Sequence, residues 1–154
     1  MARIVRLDHI AFAVKDLDHA IAHAKEKYGA KFLAKHDAKE QKYTVAVLQL
    51  GESILSLITP MEEGGFVKEF LNRRGEGIQH LGLEVDNLEE YVKELESRGI
   101  KVPVKQFKGN ERKEVLVGPK DGFGTVLQLI EWKGGADISP DERIARMMKY
   151  HTTL

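Results

Sequence analysis

Two stretches of this chain are copies of one pattern. Near the N-terminus it reads Leu7-Asp8-His9-Ile10-Ala11-Phe12-Ala13-Val14-Lys15-Asp16-Leu17, and it returns as Ile78-Gln79-His80-Leu81-Gly82-Leu83-Glu84-Val85-Asp86-Asn87-Leu88. Shifting by 71 residues, 80 minus 9, superposes His9 on His80, Val14 on Val85 and Leu17 on Leu88. A fixed internal period marks a structural unit used more than once. Two copies of about half the chain each therefore present one histidine from an equivalent strand.

Local patterning gives the copies the same order of elements. Arg3 to Val14 alternates and ends in an apolar run, as a half-buried strand does. Asp16 is placed to cap a helix burying Leu17, Ile21, Ala24 and Tyr28, and Gly29 ends it. Gln41 to Leu50 reads as a second strand, Gly51-Glu52 as a tight connection, and Ser53 to Thr59 as a third strand stopped by Pro60. A short helix from about Phe66 to Asn72 shows Val67, Phe70 and Leu71 on one side, and the glycine-rich linker Arg73 to Gly77 follows. In the second copy Ile78 to Val85 is a strand, and Asn87 caps a helix burying Leu88, Tyr91, Val92 and Leu95. Glu114 to Val117 and Thr125 to Trp132 are strands joined by a turn at Asp121 to Gly124. Each half reads βαβ(β)β, with the number of strands between helix and hairpin left open. Ser53 to Ile58 superposes on Thr125 to Ile130 with an offset of 72, which makes Ser56 the repeat partner of Gln128.

An extension beyond the second copy has no counterpart in the first. Ser139-Pro140-Asp141-Glu142 is a capping box with proline at the first helical position. Ile144, Met147, Met148 and His151 then share one helix face. That face predicts packing on the domain or on a partner subunit, with a lid over a ligand site as the other reading.

Composition narrows the classes. The chain has 154 residues, enough for one domain with a sizeable core or two halves sharing one. Lys plus Arg and Asp plus Glu are both 24, so the zero formal charge gives no support to nucleic-acid or anionic-membrane binding. No apolar run approaches the roughly 18 residues of a membrane span. Met1 to Leu7 lacks the apolar segment of a secretory signal. The absence of cysteine fits a reducing compartment, so a cytoplasmic location is expected.

The histidines carry the chemistry. Neutral imidazole is a favoured ligand for Zn, Ni, Co and Fe, and two equivalent histidines converge if the copies are related by pseudo-twofold symmetry. The inward positions that would complete such a site are Ser56 and Gln128, both neutral. Strand periodicity turns Ile130 inward with Gln128 and Glu131 outward, while Glu52 shares the face of Ser56 at its strand's start. With His9 and His80, Glu131 would complete a 2-His-1-carboxylate iron triad if a bulge turned it inward. Glu52 is an outside candidate for a base, and the two are the remaining catalytic candidates. His19 and His23 have a helical metal-ligand spacing, but they lie opposite Leu17, Ile21 and Ala24 and read as a solvated face. Gly122 and Gly124 suit a hairpin turn better than a phosphate cradle, since no helix follows.

The repeat, together with Leu7 to Ala11, Arg74 to Asp86 and Gly118-Pro119-Lys120-Asp121-Gly122-Phe123-Gly124, resembles the vicinal oxygen chelate superfamily. Within it the chain is most similar to methylmalonyl-CoA epimerases, over about residues 4 to 132. The resemblance implies an α+β fold of two βαβββ modules in a pseudo-twofold repeat, forming a cupped mixed sheet around a divalent metal. Module one would span about 4–60, a linker with the short helix 61–77, module two 78–132 and the C-terminal helical extension 133–154, in a single domain. His9 and His80 match the family's two histidine ligands. Ser56 falls where the family usually has Glu or Gln, and Gln128 where it has a Glu that binds metal and can serve as acid or base. Val45 stands where some epimerases have a catalytic Glu. The scaffold is kept and the carboxylates are not.

The implied activity is a glyoxalase-like isomerase or lyase, epimerising next to a thioester carbonyl, with a divalent metal ion (Co, Zn, Ni, Mn or Fe). The implied partners are a small acyl-CoA or oxo-acid ligand and a second copy of the chain. The basic stretch Lys105, Lys108, Arg112, Lys113 and Lys120 reads as solvated surface, with a CoA phosphate as the alternative. A non-catalytic small-molecule-binding module of the bleomycin-resistance type is the alternative function, and an Fe(II) dioxygenase the third.

Overall fold

A computed structural model describes residues 1–62, 64–107 and 111–152. Those residues form eight strands and four helices in a mixed α+β architecture. In chain order these are β1 (Ile4–Ala13), α1 (Leu17–Tyr28), β2 (Lys31–Ala38), β3 (Tyr43–Leu50), β4 (Ser53–Pro60), α2 (Phe66–Arg74), β5 (Gly77–Val85), α3 (Leu88–Ser97), β6 (Val104–Gln106), β7 (Arg112–Val117), β8 (Val126–Trp132) and α4 (Pro140–Thr152). Strands β2 and β6 fill the place left open between helix and hairpin, so each copy reads βαβββ as expected.

The chain divides into two compact units, Met1–His9 with His80–Ile138, and Ile10–Gln79 with Ser139–Leu154. In the second of these the strand order is β2-β3-β4-β1, with β3 antiparallel to both neighbours and β4 parallel to β1. In the first, β5-β8-β7-β6 repeats the ladder, again with one parallel pair. The Arg3 carbonyl, just before β1, accepts from the amide of Asp86 within that unit at 3.2 Å.

Caps fix α1 and α3 in the predicted way. The Asp16 carboxylate accepts from the His19 amide at 3.0 Å, and the Asn87 side chain from the Glu90 amide at 3.1 Å. These caps are themselves repeat partners, 87 minus 16 being 71. Gly29 takes the left-handed conformation, φ 69°, that ends α1 and that a side chain would resist. On α1, Leu17 and Ala24 are buried and Ile21 is partly buried, packing with Ala46, Leu48 and Leu57. Tyr28 was expected in this layer and is 72% exposed. It sits in the last turn, one residue before the chain reverses at Gly29, and lies edge-on to His23. On α3, Leu88, Val92 and Leu95 pack onto Val115, Val117 and Leu129.

Strand register carries the repeat further than the sequence offset does. Ala11 pairs with Ser56 and Gly82 with Gln128, so Ser56 and Gln128 occupy equivalent ladder positions, as expected. Val45 pairs with Ile58 and Glu114 with Ile130. Since 130 minus 58 is 72, Glu114 is the counterpart of Val45, at an offset of 69. The connection between β7 and β8 is longer than that between β3 and β4, which absorbs the difference of three.

The capping box at α4 forms reciprocally. The Ser139 amide donates to Glu142 Oε2 at 2.7 Å, and the Glu142 amide donates to Ser139 Oγ at 3.2 Å. Those hydrogen bonds hold the Glu142 carboxyl below its ordinary value. Ile144, Met147 and His151 are buried, whereas Met148 is 39% exposed at the edge of the face. The helix packs against β2 within its own unit. Tyr43 closes on Phe66 at the start of α2, where Val67 and Leu71 are buried.

Candidate metal centre

The two repeated histidines meet. His9 Nε2 lies 3.2 Å from His80 Nε2, with the rings edge to face at 87°. Both belong to the same compact unit, because the first six residues of β1 group with the second copy. Two nitrogens 3.2 Å apart, each about 2.1 Å from one ion, would subtend roughly 100° there, between octahedral and tetrahedral angles.

Asp8 sets the orientation of His9. Its Oδ2 is 2.8 Å from His9 Nδ1, and its Oδ1 accepts from Trp132 Nε1 at 2.9 Å. Burial pushes the Asp8 carboxyl up, but the hydrogen bond and charge of His9, the Trp132 donor and the Arg112 guanidinium outweigh it, leaving a pKa of about 2. An ionised carboxylate only accepts, so His9 Nδ1 donates and Nε2 is turned to His80. Burial first, then His9 and Arg112, push the His80 pKa well below its ordinary value. That keeps His80 in the neutral form a metal requires.

Gly82 makes the approach of His9 sterically feasible. A Cβ there would lie 2.3 Å from His9 Cε1 and 2.4 Å from Nδ1, far inside contact distance. The His9 ring thus occupies the space above Gly82, the direct cross-strand partner of Gln128.

Gln128 is buried, and its Nε2 donates to Glu114 Oε2 at 2.7 Å. Its Oε1 is buried without a hydrogen-bond partner among the described residues. A buried amide oxygen left bare by its own fixed nitrogen is a donor suited to a cation. Two imidazoles and an amide oxygen are donors of the kind a divalent first-row ion accepts. Among the described residues no cluster of three or more His, Cys, Asp or Glu is placed to share one.

Glu114 is the residue that sequence reasoning passed over. It bridges Gln128 and Arg112, whose Nη2 is 3.0 Å away, and Arg112 in turn stacks over Trp132 at 5.2 Å. A chain of contacts thus runs from Glu114 through Arg112 and Trp132 to Asp8 and His9. The repeat offset of 72 sets Lys42 against Glu114, and only the ladder register reveals that Glu114 is the counterpart of Val45.

The other candidates stand elsewhere. Ser56 is buried in β4 between Ala11 and Val47, in the other compact unit. Glu131 pairs with Lys113 at 3.3 Å, on the opposite face of β8 from Gln128, as the periodicity predicts. Glu52 is exposed in the β3–β4 turn, where its carbonyl accepts from Arg143. His19 and His23 are exposed and stacked at 6.3 Å. Of the basic stretch, Lys105 pairs with Glu96, Lys113 with Glu89, and Arg112 with Glu114, while Lys108 lies outside the described residues.

The chain is similar to known proteins over most of its length. The chain is 31% identical over 127 residues to human mitochondrial methylmalonyl-CoA epimerase, covering 80% of this chain and 72% of that one. It is 30% identical over 132 residues to the uncharacterized protein YqjC of Bacillus subtilis, covering 84% and 94%. The crystal structure of methylmalonyl-CoA epimerase from Mycobacterium tuberculosis superposes with a TM-score of 0.74 at 28% identity, over 83% of this chain and 88% of that one. The sequence profile of the Glyoxalase/Bleomycin resistance protein/Dioxygenase superfamily matches residues 8–116, and with the paired histidines of a duplicated βαβββ unit the chain belongs to that superfamily.

Proposed function

We propose that the chain is a metal-assisted epimerase of acyl-CoA thioesters of the methylmalonyl type, with Glu114 as the carboxylate that moves the α-proton. The observation that carries this reading is Glu114 itself, a carboxylate at the ladder position equivalent to Val45, hydrogen-bonded to Gln128. The relatives named as methylmalonyl-CoA epimerases support the substrate class.

His9, His80 and the Gln128 amide oxygen would hold the ion, which when bound supplies fixed positive charge beside a substrate carbonyl. Asp8 holds the His9 ring in its ligating orientation, and burial keeps His80 neutral. Arg112 and Gln128 donate to Glu114 and fix where its oxygens point. The Glu114 side chain is 26% exposed, so a ligand can reach it. General acid–base catalysis by a positioned carboxylate contributes about 10²–10⁴-fold.

Solvent exchange tests the reading. In D₂O with added Co²⁺, the protein should introduce deuterium at the α-carbon of methylmalonyl-CoA. Glu114→Gln should slow exchange by at least about 100-fold, while Co²⁺ affinity changes by only a few fold. A wild-type protein that binds the thioester without exchange would refute the epimerase. It would favour the non-catalytic binding module, the reading that neutral Ser56 and Gln128 at two ligand positions also fit.

A further inference from the structure

A second imidazole pair lies in the other compact unit, remote in sequence from the first. His36 of β2 and His151 of α4 place their Nδ1 atoms 3.2 Å apart, the same separation as the Nε2 atoms of His9 and His80. Their rings are tilted at 35° with centroids 4.9 Å apart, neither stacked flat nor edge to face. His151 is buried, and His36 is partly buried. Tyr150 sits edge-on to His151 at 5.2 Å and flanks it.

The location gives the pair a purpose. His36 pairs across the ladder with Val45, so it stands on the face of this sheet that carries Val45, Val47 and Ser56. Ala46, Leu48 and Leu57 point to the opposite face, toward α1. Helix α4 belongs to an extension that the repeat does not account for. Its first turn is tied by Arg143 Nη1 to the Glu52 carbonyl at 3.2 Å, and its last turn meets β2 through His151. Two imidazole nitrogens at this spacing have two uses. One ring donates to the other, or both turn lone pairs to a shared cation at about 2.1 Å, subtending roughly 100°.

We propose that His36 and His151 chelate a first-row divalent ion of the imidazole-preferring kind (Co, Ni, Cu or Zn), clamping α4 onto β2 as a second metal site distinct from the His9–His80 centre. A pair of imidazole nitrogens suits these ions and not Mg²⁺ or Ca²⁺, which take oxygen ligands. The clamp joins two segments 115 residues apart, 151 minus 36.

Zinc titration of the chelator-stripped full chain tests it. Wild type should bind two equivalents of Zn²⁺, and His36→Gln and His151→Gln one each. The double variant His36→Gln/His151→Gln should also bind one, since either loss empties the same site. His80→Asn should keep the second equivalent, and Zn²⁺ should still raise its unfolding temperature. Side-chain ¹⁵N spectra of wild type should show the His36 and His151 Nδ1 resonances shifting together with Zn²⁺, a readout that needs no variant to fold. A single equivalent that His80→Asn abolishes and His151→Gln leaves intact would overturn the proposal, as would Nδ1 resonances indifferent to Zn²⁺. A single equivalent lost only in His36→Gln and His151→Gln would support this site and count against the other.

Discussion

Placing a glutamate at position 128 is the sharpest test of the site's electrostatics. On ligand chemistry alone Gln128→Glu should strengthen metal binding, because a carboxylate replaces an amide. The structure adds a consequence: the amide nitrogen it removes lies 2.7 Å from Glu114 Oε2. Two ionised carboxylates at that distance repel by about 6 kcal/mol at an effective dielectric of about 20, before Arg112 offsets part of it. Neither stays fully ionised; the pair shares a proton, so its folded-state pKa rises above the ordinary glutamate value. A group whose folded pKa is raised stabilises the fold at low pH and loses that contribution as pH climbs through the raised value. Urea unfolding of Gln128→Glu should therefore show a loss relative to wild type of about 3 kcal/mol at pH 8 that shrinks toward pH 5. The exchanged pair Gln128→Glu/Glu114→Gln should recover most of it. Metal binding by the single variant should release about one proton, visible as a buffer-dependent heat, and by the exchanged pair none. Equal stability of the single and exchanged variants at pH 8 would refute the Glu114–Gln128 contact.

Two further outcomes follow from the same centre. Gly82→Ala should expel the His9 ring from its seat, costing about 1–3 kcal/mol of stability and the Co²⁺ visible spectrum together; a variant that keeps the spectrum would contradict the close approach. Asp8 has its folded pKa lowered from 3.8 to about 2, so its contribution is full above 3.8 and disappears as pH falls toward about 2. The difference corresponds to about 2 kcal/mol, and Asp8→Asn should flatten the acid limb of the stability curve by that amount. A stability gap independent of pH between 2 and 5 would rule out the ionic role of Asp8.

Much of this was legible in the chain. The period of 71, the caps at Asp16 and Asn87, and the capping box at Ser139 are local signals, and each formed where its residues stand. His9 and His80 could be paired because a repeat implies equivalent strands. Glu114 could not, because its partner is defined by the ladder and the longer β7–β8 connection shifts the offset from 72 to 69. Gly82 was visible within the motif, yet its reason is a ring delivered from another strand. His36 and His151 carry no common periodicity, and only the packing of α4 on β2 brings them together. Tyr28 had the right spacing and the wrong end of the helix.

The equivalence of Val45 and Glu114 in the two copies bears on how such proteins diverge. A duplicated unit owns every functional position twice, once in each half. A charge deleted from one half can be reinstated at the mirror position of the other with the surrounding framework untouched. Column-by-column alignment with a relative that has a carboxylate at the position of Val45 would register only its loss there, because Glu114 stands in the other half. Family members dismissed as inactive for want of a residue should therefore be compared against their own other half, strand by strand.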